Sequence, residues 1–303
     1  MKNNKKILII VGGGVKHISP FLDAGRKLGV EVVCASFSTL EYATVGLITK
    51  VKVAGTDLQD FSAVYLRLVG KRYEDAALLT YYCRQAGVKL VDAVYESDCL
   101  IRIPVPKSIE VKMLVDAGIP VPKTYFGRMK MIREVAPNLL GFPFVIKGTQ
   151  GKQGNAVWSP VSFEELDRLV DEFTPREKKG ERFLAQEFIK ASQRNRIFII
   201  GNKAIAAITR PTRWRKRFLE KISGEFPLGL RTKLDPIPAL DAELAVKAAL
   251  AVKIDIGGVD IIHEDESGRP YVLEVNSAPR WSALEKDTGV FVEKEILKYL
   301  ASF

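Results

Sequence analysis

The residues best suited to do chemistry lie near the end of the 303-residue chain. Gly257-Gly258-Val259-Asp260-Ile261-Ile262 and Tyr271-Val272-Leu273-Glu274-Val275-Asn276 are apolar, β-branched runs, and the polar stretch 264–270 between them is turn material. The spacing predicts a β-hairpin. With pairing centred near Ser267, Asp260 lies opposite Glu274, and side-chain alternation puts Asn276 on the same face. Three oxygen ligands then converge. Such a set suits magnesium or manganese held together with nucleotide phosphates, whereas zinc would call for Cys or His. The alternative is a half-solvated strand face carrying three polar residues.

Basic and glycine-rich elements precede this hairpin. Pro143-Phe144-Val145-Ile146-Lys147 reads as a strand ending in a lysine, followed by the loop Gly148-Thr149-Gln150-Gly151-Lys152-Gln153-Gly154-Asn155. Its glycines let successive backbone N–H groups turn toward an anion, although the spacing is not that of a Walker loop. Lys107 opens a helical stretch that Gly118 ends, and Ile119-Pro120-Val121-Pro122 leads out. Phe183-Leu184-Ala185 is a strand running into Gln186-Glu187-Phe188-Ile189, and 196–208 reads as a second hairpin on the turn Gly201-Asn202. Arg196 and Arg210 sit near its open ends.

In this order the elements resemble the ATP-grasp superfamily and, within it, the RimK-type carboxylate–amine ligases, from about Val64 onward. The resemblance implies that Lys107 and Lys147 contact ATP, that Gly151, Lys152, Gln153 and Gly154 cover its phosphates, and that Gln186, Glu187, Phe188 and Ile189 form the hinge that reads adenine. Arg196 resembles the arginine that reaches the phosphates. Arg210 and Arg215 (through Trp214-Arg215) stand at positions implied to serve the reacting carboxylate, and Arg280, in the turn after Asn276, is a further catalytic candidate of this chain's own. Asp260, Glu274 and Asn276 match the metal ligands. The implied cofactors are ATP and two magnesium or manganese ions, and the implied reaction is γ-phosphoryl transfer to a carboxylate, attack by an amine on the acyl phosphate, and release of ADP and phosphate. Adding an amino acid, glutamate before others, to a peptide, protein or small acidic carboxylate is the favoured version.

The chain departs from the family pattern in one direction. Pro106 replaces an acidic residue before Lys107, Arg194-Asn195-Arg196 replaces an acidic-apolar-Arg pattern, Arg217 stands where an Asn is expected, and Arg280 replaces the glycine of an Asn-x-x-Pro-Gly turn. The His-Arg-Gly-Gly run of glutamate-adding relatives is not evident. Most of these changes add positive charge, so the substrates are expected to be acidic. Two other readings compete: a non-catalytic ATP-binding module, and a nucleic-acid-binding protein that uses the basic run 210–217 around Trp214.

Composition agrees with a sizeable enzyme. The net charge of +10 favours anionic partners, with nucleic acid disfavoured among them, and 47% hydrophobic residues can build more than one core. Cys34, Cys83 and Cys99 have no metal-type spacing, which points to reduced thiols and the cytoplasm. His17 and His263 form no cluster. No apolar run reaches the roughly 20 residues that span a bilayer, so no membrane partner is expected. A homo-oligomer is allowed but not specified.

The elements that must position these residues follow a simple plan. Strand-like runs (7–11, 31–35, 63–68, 88–91) alternate with helical stretches (20–28, 75–85), which predicts a parallel α/β domain over 1–97. The Gly12–Gly14 segment reads as a tight strand–helix turn. Two ATP-grasp subdomains are expected at 98–180 and 181–303, joined by an exposed charged connection at 171–182. The fold class is thus α/β, of the α+β ATP-grasp kind.

Overall fold

The structure, a computed structural model, describes residues 5–45, 48–96, 105–149, 157–212, 232–279 and 281–303. The N-terminal part holds a parallel sheet of β1 (Lys6–Val11), β2 (Glu31–Ser36), β6 (Ala63–Leu68) and β7 (Lys89–Val91) in the order β2-β1-β6-β7. The apolar run of β1 is buried on both faces, as a central parallel strand must be. Gly12 follows β1 because nothing larger fits: a Cβ there would come within 2.1 Å of the Val69 carbonyl oxygen. Helices Pro20–Leu28 and Tyr73–Ala86 connect the strands, and each stops at a glycine in the left-handed region. Between β2 and β6 the chain makes a small antiparallel sheet that the sequence reading left unassigned, of β3 (Leu40–Val45), β4 (Ile48–Val53) and β5 (Thr56–Asp57).

The central sheet contains β8 (Thr124–Gly127), β9 (Phe144–Gly148), β10 (Val157–Trp158) and β11 (Phe183–Glu187), in the order β10-β9-β11-β8. β11 pairs with both β8 and β9. The connection expected at 171–182 is corrected to helix over most of its length. Residues up to Lys178 complete the helix Phe163–Lys178, in which Phe173 is fully buried and stacks on Phe183 at 4.6 Å. Ser162 caps this helix by accepting the Glu165 N–H, while the Glu165 carboxylate accepts the Val161 N–H. Leu166, Leu169, Val170 and Phe173 give it an apolar face at helical spacing.

The last sheet orders β14 (Thr232–Lys233), β13 (Lys203–Pro211), β12 (Gln193–Ile200), β15 (Ile256–His263) and β16 (Pro270–Asn276). Helix Ala239–Ala251 packs on one face of it, and its residues share a core with the N-terminal sheet. Helix Val292–Leu300 lies against helix Pro20–Leu28, so the end of the chain closes on its beginning. Among the described residues no helix is long and apolar enough to cross a membrane.

Candidate active site

β15 and β16 pair in the expected register, with Asp260 opposite Glu274 and Gly258 opposite Asn276. The glycines before Asp260 permit this closeness: a Cβ on Gly257 would come 3.0 Å from the Asn276 carbonyl oxygen, and one on Gly258 would come 3.2 Å from Pro279. Asp260 is fully buried and gripped by arginines from β12. Arg196 makes a two-point contact, Nε to Oδ1 at 2.6 Å and Nη2 to Oδ2 at 2.7 Å, and Arg194 Nη1 lies 3.1 Å from Oδ2. The Asp260 charge raises the Arg196 guanidinium above its ordinary value.

Glu274 is held from the opposite side. Lys107 Nζ donates to its Oε2 at 2.6 Å and Asn276 Nδ2 to its Oε1 at 2.9 Å. Burial alone would raise this carboxyl, but Lys107, Asn276 and Lys147 outweigh it and hold it well below the usual range. The Lys107 amide donates to the Thr149 carbonyl at 3.2 Å, which pins the helix Lys107–Asp116 to the end of β9. Lys147, on β9, is buried and hydrogen-bonds to the Gln186 side chain, whose amide donates in turn to Thr124 Oγ1 at 3.0 Å. Burial, and then the like charge of Lys107, lower its ammonium to about 8.

A narrow cleft beside this lysine is lined by Gln186, Glu187, Phe188 and Ile189 at the end of β11 and by Ile262 and Leu273 from the β15–β16 hairpin, so polar and apolar groups share its walls. Glu187 is held there by Lys123, at 3.4 Å between side chains and through the Lys123 amide at 3.2 Å. A wider cleft of about 550 Å³ lies at the ends of β1 and β2, lined by Gly12–Gly14, Ser36, Ser38, Thr39 and Arg72. Among the described residues, its lining contains no Asp or Glu.

The structure therefore brings Lys107, Lys147, Gln186, Arg196, Asp260, Glu274 and Asn276 into one connected set. Arg210 faces the same side of the sheet, directly opposite Arg194. Gly151, Lys152, Gln153, Gly154, Arg215 and Arg280 lie outside the described residues. Two residues escaped the sequence reading. Arg194 had been treated only as a departure, although its two-residue spacing from Arg196 signals a shared face. Glu110, one helical turn after Lys107, accepts the Val275 N–H at 2.9 Å, and burial pushes its carboxyl up to about 7.

The donor set fits a hard divalent cation. Asp260, Glu274 and Asn276 can offer oxygen ligands from neighbouring rungs, and both carboxylates are balanced by cationic side chains.

Comparison with known proteins agrees with this geometry. Residues 106–300 match the family described as the RimK-like ATP-grasp domain. A probable alpha-L-glutamate ligase of Trichodesmium erythraeum (strain IMS101) is 28% identical over 290 residues, covering 92% of this chain and 90% of the relative. One of Cellvibrio japonicus (strain Ueda107) is 30% identical over 260 residues, covering 81% and 78%. The solved structure of the ATP-grasp ligase PsnB complexed with minimal precursor, Mg and ADP has the same fold, with a TM-score of 0.71 at 16% identity over 98% of this chain and 97% of that one. With this match over residues 106–300 and its α+β architecture, the chain belongs to the RimK-like ATP-grasp family of ADP-forming carboxylate–amine ligases.

Proposed function

We propose that the protein joins an amino acid, glutamate before others, to an acidic peptide, protein or small-molecule carboxylate, and that the residues assembled above are its working parts. The observation that carries this reading is the Asp260–Glu274 rung with Lys107 on one side and Arg196 on the other. Among the described residues, Lys107, Lys147, Arg194 and Arg196 gather around Asp260, Glu274 and Glu110, and Arg210 stands opposite Arg194. This concentration of cationic side chains favours an anionic nucleotide together with an acidic substrate.

A carboxylate is a poor electrophile, and phosphorylation makes it reactive. Lys107 and Lys147 neutralise the phosphate oxygens, and Arg196 and Arg210 orient the transferring group and the acceptor carboxylate. Asp260, Glu274 and Asn276 would hold magnesium or manganese, two ions in all, which when bound supply charge neutralisation at the phosphates. The strand end Gln186–Ile189, beside the narrow cleft, is assigned to the adenine, as the family resemblance implies. The amine then attacks the acyl phosphate, the C–N bond forms as the C–O bond to phosphate breaks, and the amine proton leaves to solvent. The task of keeping water from the acyl phosphate is assigned to the glycine-rich run 148–154, as the family resemblance implies.

We place the boundary between the two ATP-grasp subdomains after Glu187, with the N-terminal α/β domain ahead of them. Cys34 and Cys83 are free thiols, which supports a reducing, cytoplasmic setting.

The test is to incubate the protein with ATP and magnesium in pools of amino acids and acidic peptides, measuring nucleotide products and new masses together. ADP accompanied by a condensation product that has lost water supports the proposal and names the substrates. ATP binding without ADP in any pool would move the protein to a non-catalytic nucleotide-binding role.

A further inference from the structure

Asp260 is contacted by two arginines, where one would balance its charge. Arg196 stands directly opposite it on β12 and spans both carboxylate oxygens. Arg194, opposite Ile262, reaches Oδ2 diagonally from the neighbouring rung at 3.1 Å. On its other side Arg194 faces Arg210, whose guanidinium offers no acceptor. A buried carboxylate without a counter-ion is costly, but Arg196 alone removes that cost. The second contact therefore has another use.

Arg196 divides its attention. It is assigned above to the phosphates, and its Nη2 also lies 4.0 Å from Glu274 Oε1, so a phosphate oxygen competes with Asp260 for its donors. Arg194 is anchored from the back of the sheet. Between the two arginines, Asn195 projects to the opposite face, where its Nδ2 donates to Oδ2 of the fully buried Asp241 at 2.7 Å. The other Asp241 oxygen lies 2.7 Å from His263 Nε2 on β15. Asp241, on helix Ala239–Ala251, thus ties β12 to β15 behind the arginines. That tie fixes the spacing between the Arg194 backbone and Asp260 through groups that nucleotide does not contact.

We propose that Arg194 is a positioning residue: it keeps the Asp260 carboxylate in place for a divalent ion when Arg196 is drawn to the nucleotide. This rests on the ligase reading above, in which Asp260 is a metal ligand and Arg196 serves the phosphates. The proposal and its simplest rival predict opposite signs. If Arg194 were only a nearby positive charge, removing it would tighten the binding of a cation. If it positions the ligand, removing it loosens the ion despite the charge it takes away, by roughly 10- to 100-fold for hydrogen-bond partners of metal-binding carboxylates.

The experiment uses the full chain with stoichiometric ADP. Manganese is titrated in, and the loss of the free-ion signal is followed by electron paramagnetic resonance, with folding checked by circular dichroism. Arg194→Met should weaken manganese binding about tenfold or more, and Arg194→Lys, which keeps a cation and a donor, about threefold. ADP affinity in the absence of metal should change less than threefold in both. Tighter or unchanged manganese binding in Arg194→Met would overturn the proposal, as would a loss of metal-free ADP affinity equal to the loss for manganese, which would make Arg194 a phosphate contact. Should Arg194→Met not fold, Arg194→Lys carries the test, and unchanged or tighter binding there overturns it. These outcomes, in a wild type that binds both ADP and manganese, sink this proposal alone. A wild type that binds no ADP, or ADP with no manganese, overturns the ligase reading on which it rests.

Discussion

Raising the pH should weaken nucleotide binding through one buried lysine. Lys147 loses its proton near pH 8 in the free protein because burial, and then the neighbouring Lys107, disfavour its charge. Phosphates bind the protonated form. At pH 7 roughly nine-tenths of Lys147 is charged, and at pH 9 roughly one-tenth, so ADP affinity should fall about tenfold over that span, or about 1.4 kcal/mol. Calorimetric titration of ADP–magnesium in buffers of different ionisation enthalpy measures both the fall and the proton taken up on binding. Lys147→Arg should flatten the profile because guanidinium stays charged, and Glu110→Gln removes the other group that titrates close by, near pH 7. The sign for stability runs the other way. The folded value lies below the ordinary 10.5, so the penalty for burying the cation is present below pH 8 and disappears as pH rises toward 10.5. The free protein should therefore gain stability from this lysine across that window. An ADP affinity constant from pH 7 to 9, with no proton uptake, would refute the assignment of Lys147 to the phosphates.

Other perturbations probe separate parts of the account. Asp260→Asn leaves Arg194 and Arg196 side by side without their counter-ion, which should cost about 3 kcal/mol in urea unfolding as well as abolish ADP formation; unchanged stability would mean that the three-way contact carries little energy. Phe173→Ala should cost about 3 to 5 kcal/mol, since the ring is fully buried against Phe183 and Trp158, whereas a cost below about 0.5 kcal/mol would restore the exposed connection expected from the sequence. Glu110→Ala frees the Val275 N–H between the two metal-strand ligands and should cost about 1 to 3 kcal/mol, largely recovered in Glu110→Gln, which keeps an acceptor. Equal losses in the two variants would show that charge, and not the hydrogen bond, is what matters there.

The parts of the fold governed by local pattern were legible from the chain. The Asp260–Glu274 rung followed from strand alternation and a turn centred on Ser267, and the parallel sheet followed from apolar runs alternating with helical stretches. Family resemblance named Lys147 and Lys107, whose roles no local pattern distinguishes from those of other surface lysines. What could not be read were the contacts made by distant residues. Glu110 reaches Val275 across 165 positions, and Arg67 reaches Pro279 across 212; neither has a sequence signature, because long-range packing decides them. The helix Phe163–Lys178 was not read from the sequence: the dense charges of 171–182 suggested a connection, whereas Leu166, Leu169, Val170 and Phe173 give the helix its apolar face.

The central claim is that the Asp260–Glu274 rung drives ATP-dependent amide formation. The most direct measurement compares the wild type with Glu274→Ala for ADP release and condensation product under one set of ATP, magnesium and substrate pools, with folding of both checked by circular dichroism. ADP and a water-loss product in equal amounts from the wild type, and neither from a folded Glu274→Ala, is the predicted result. Full turnover by Glu274→Ala, or no ADP from the wild type in any pool, would contradict it.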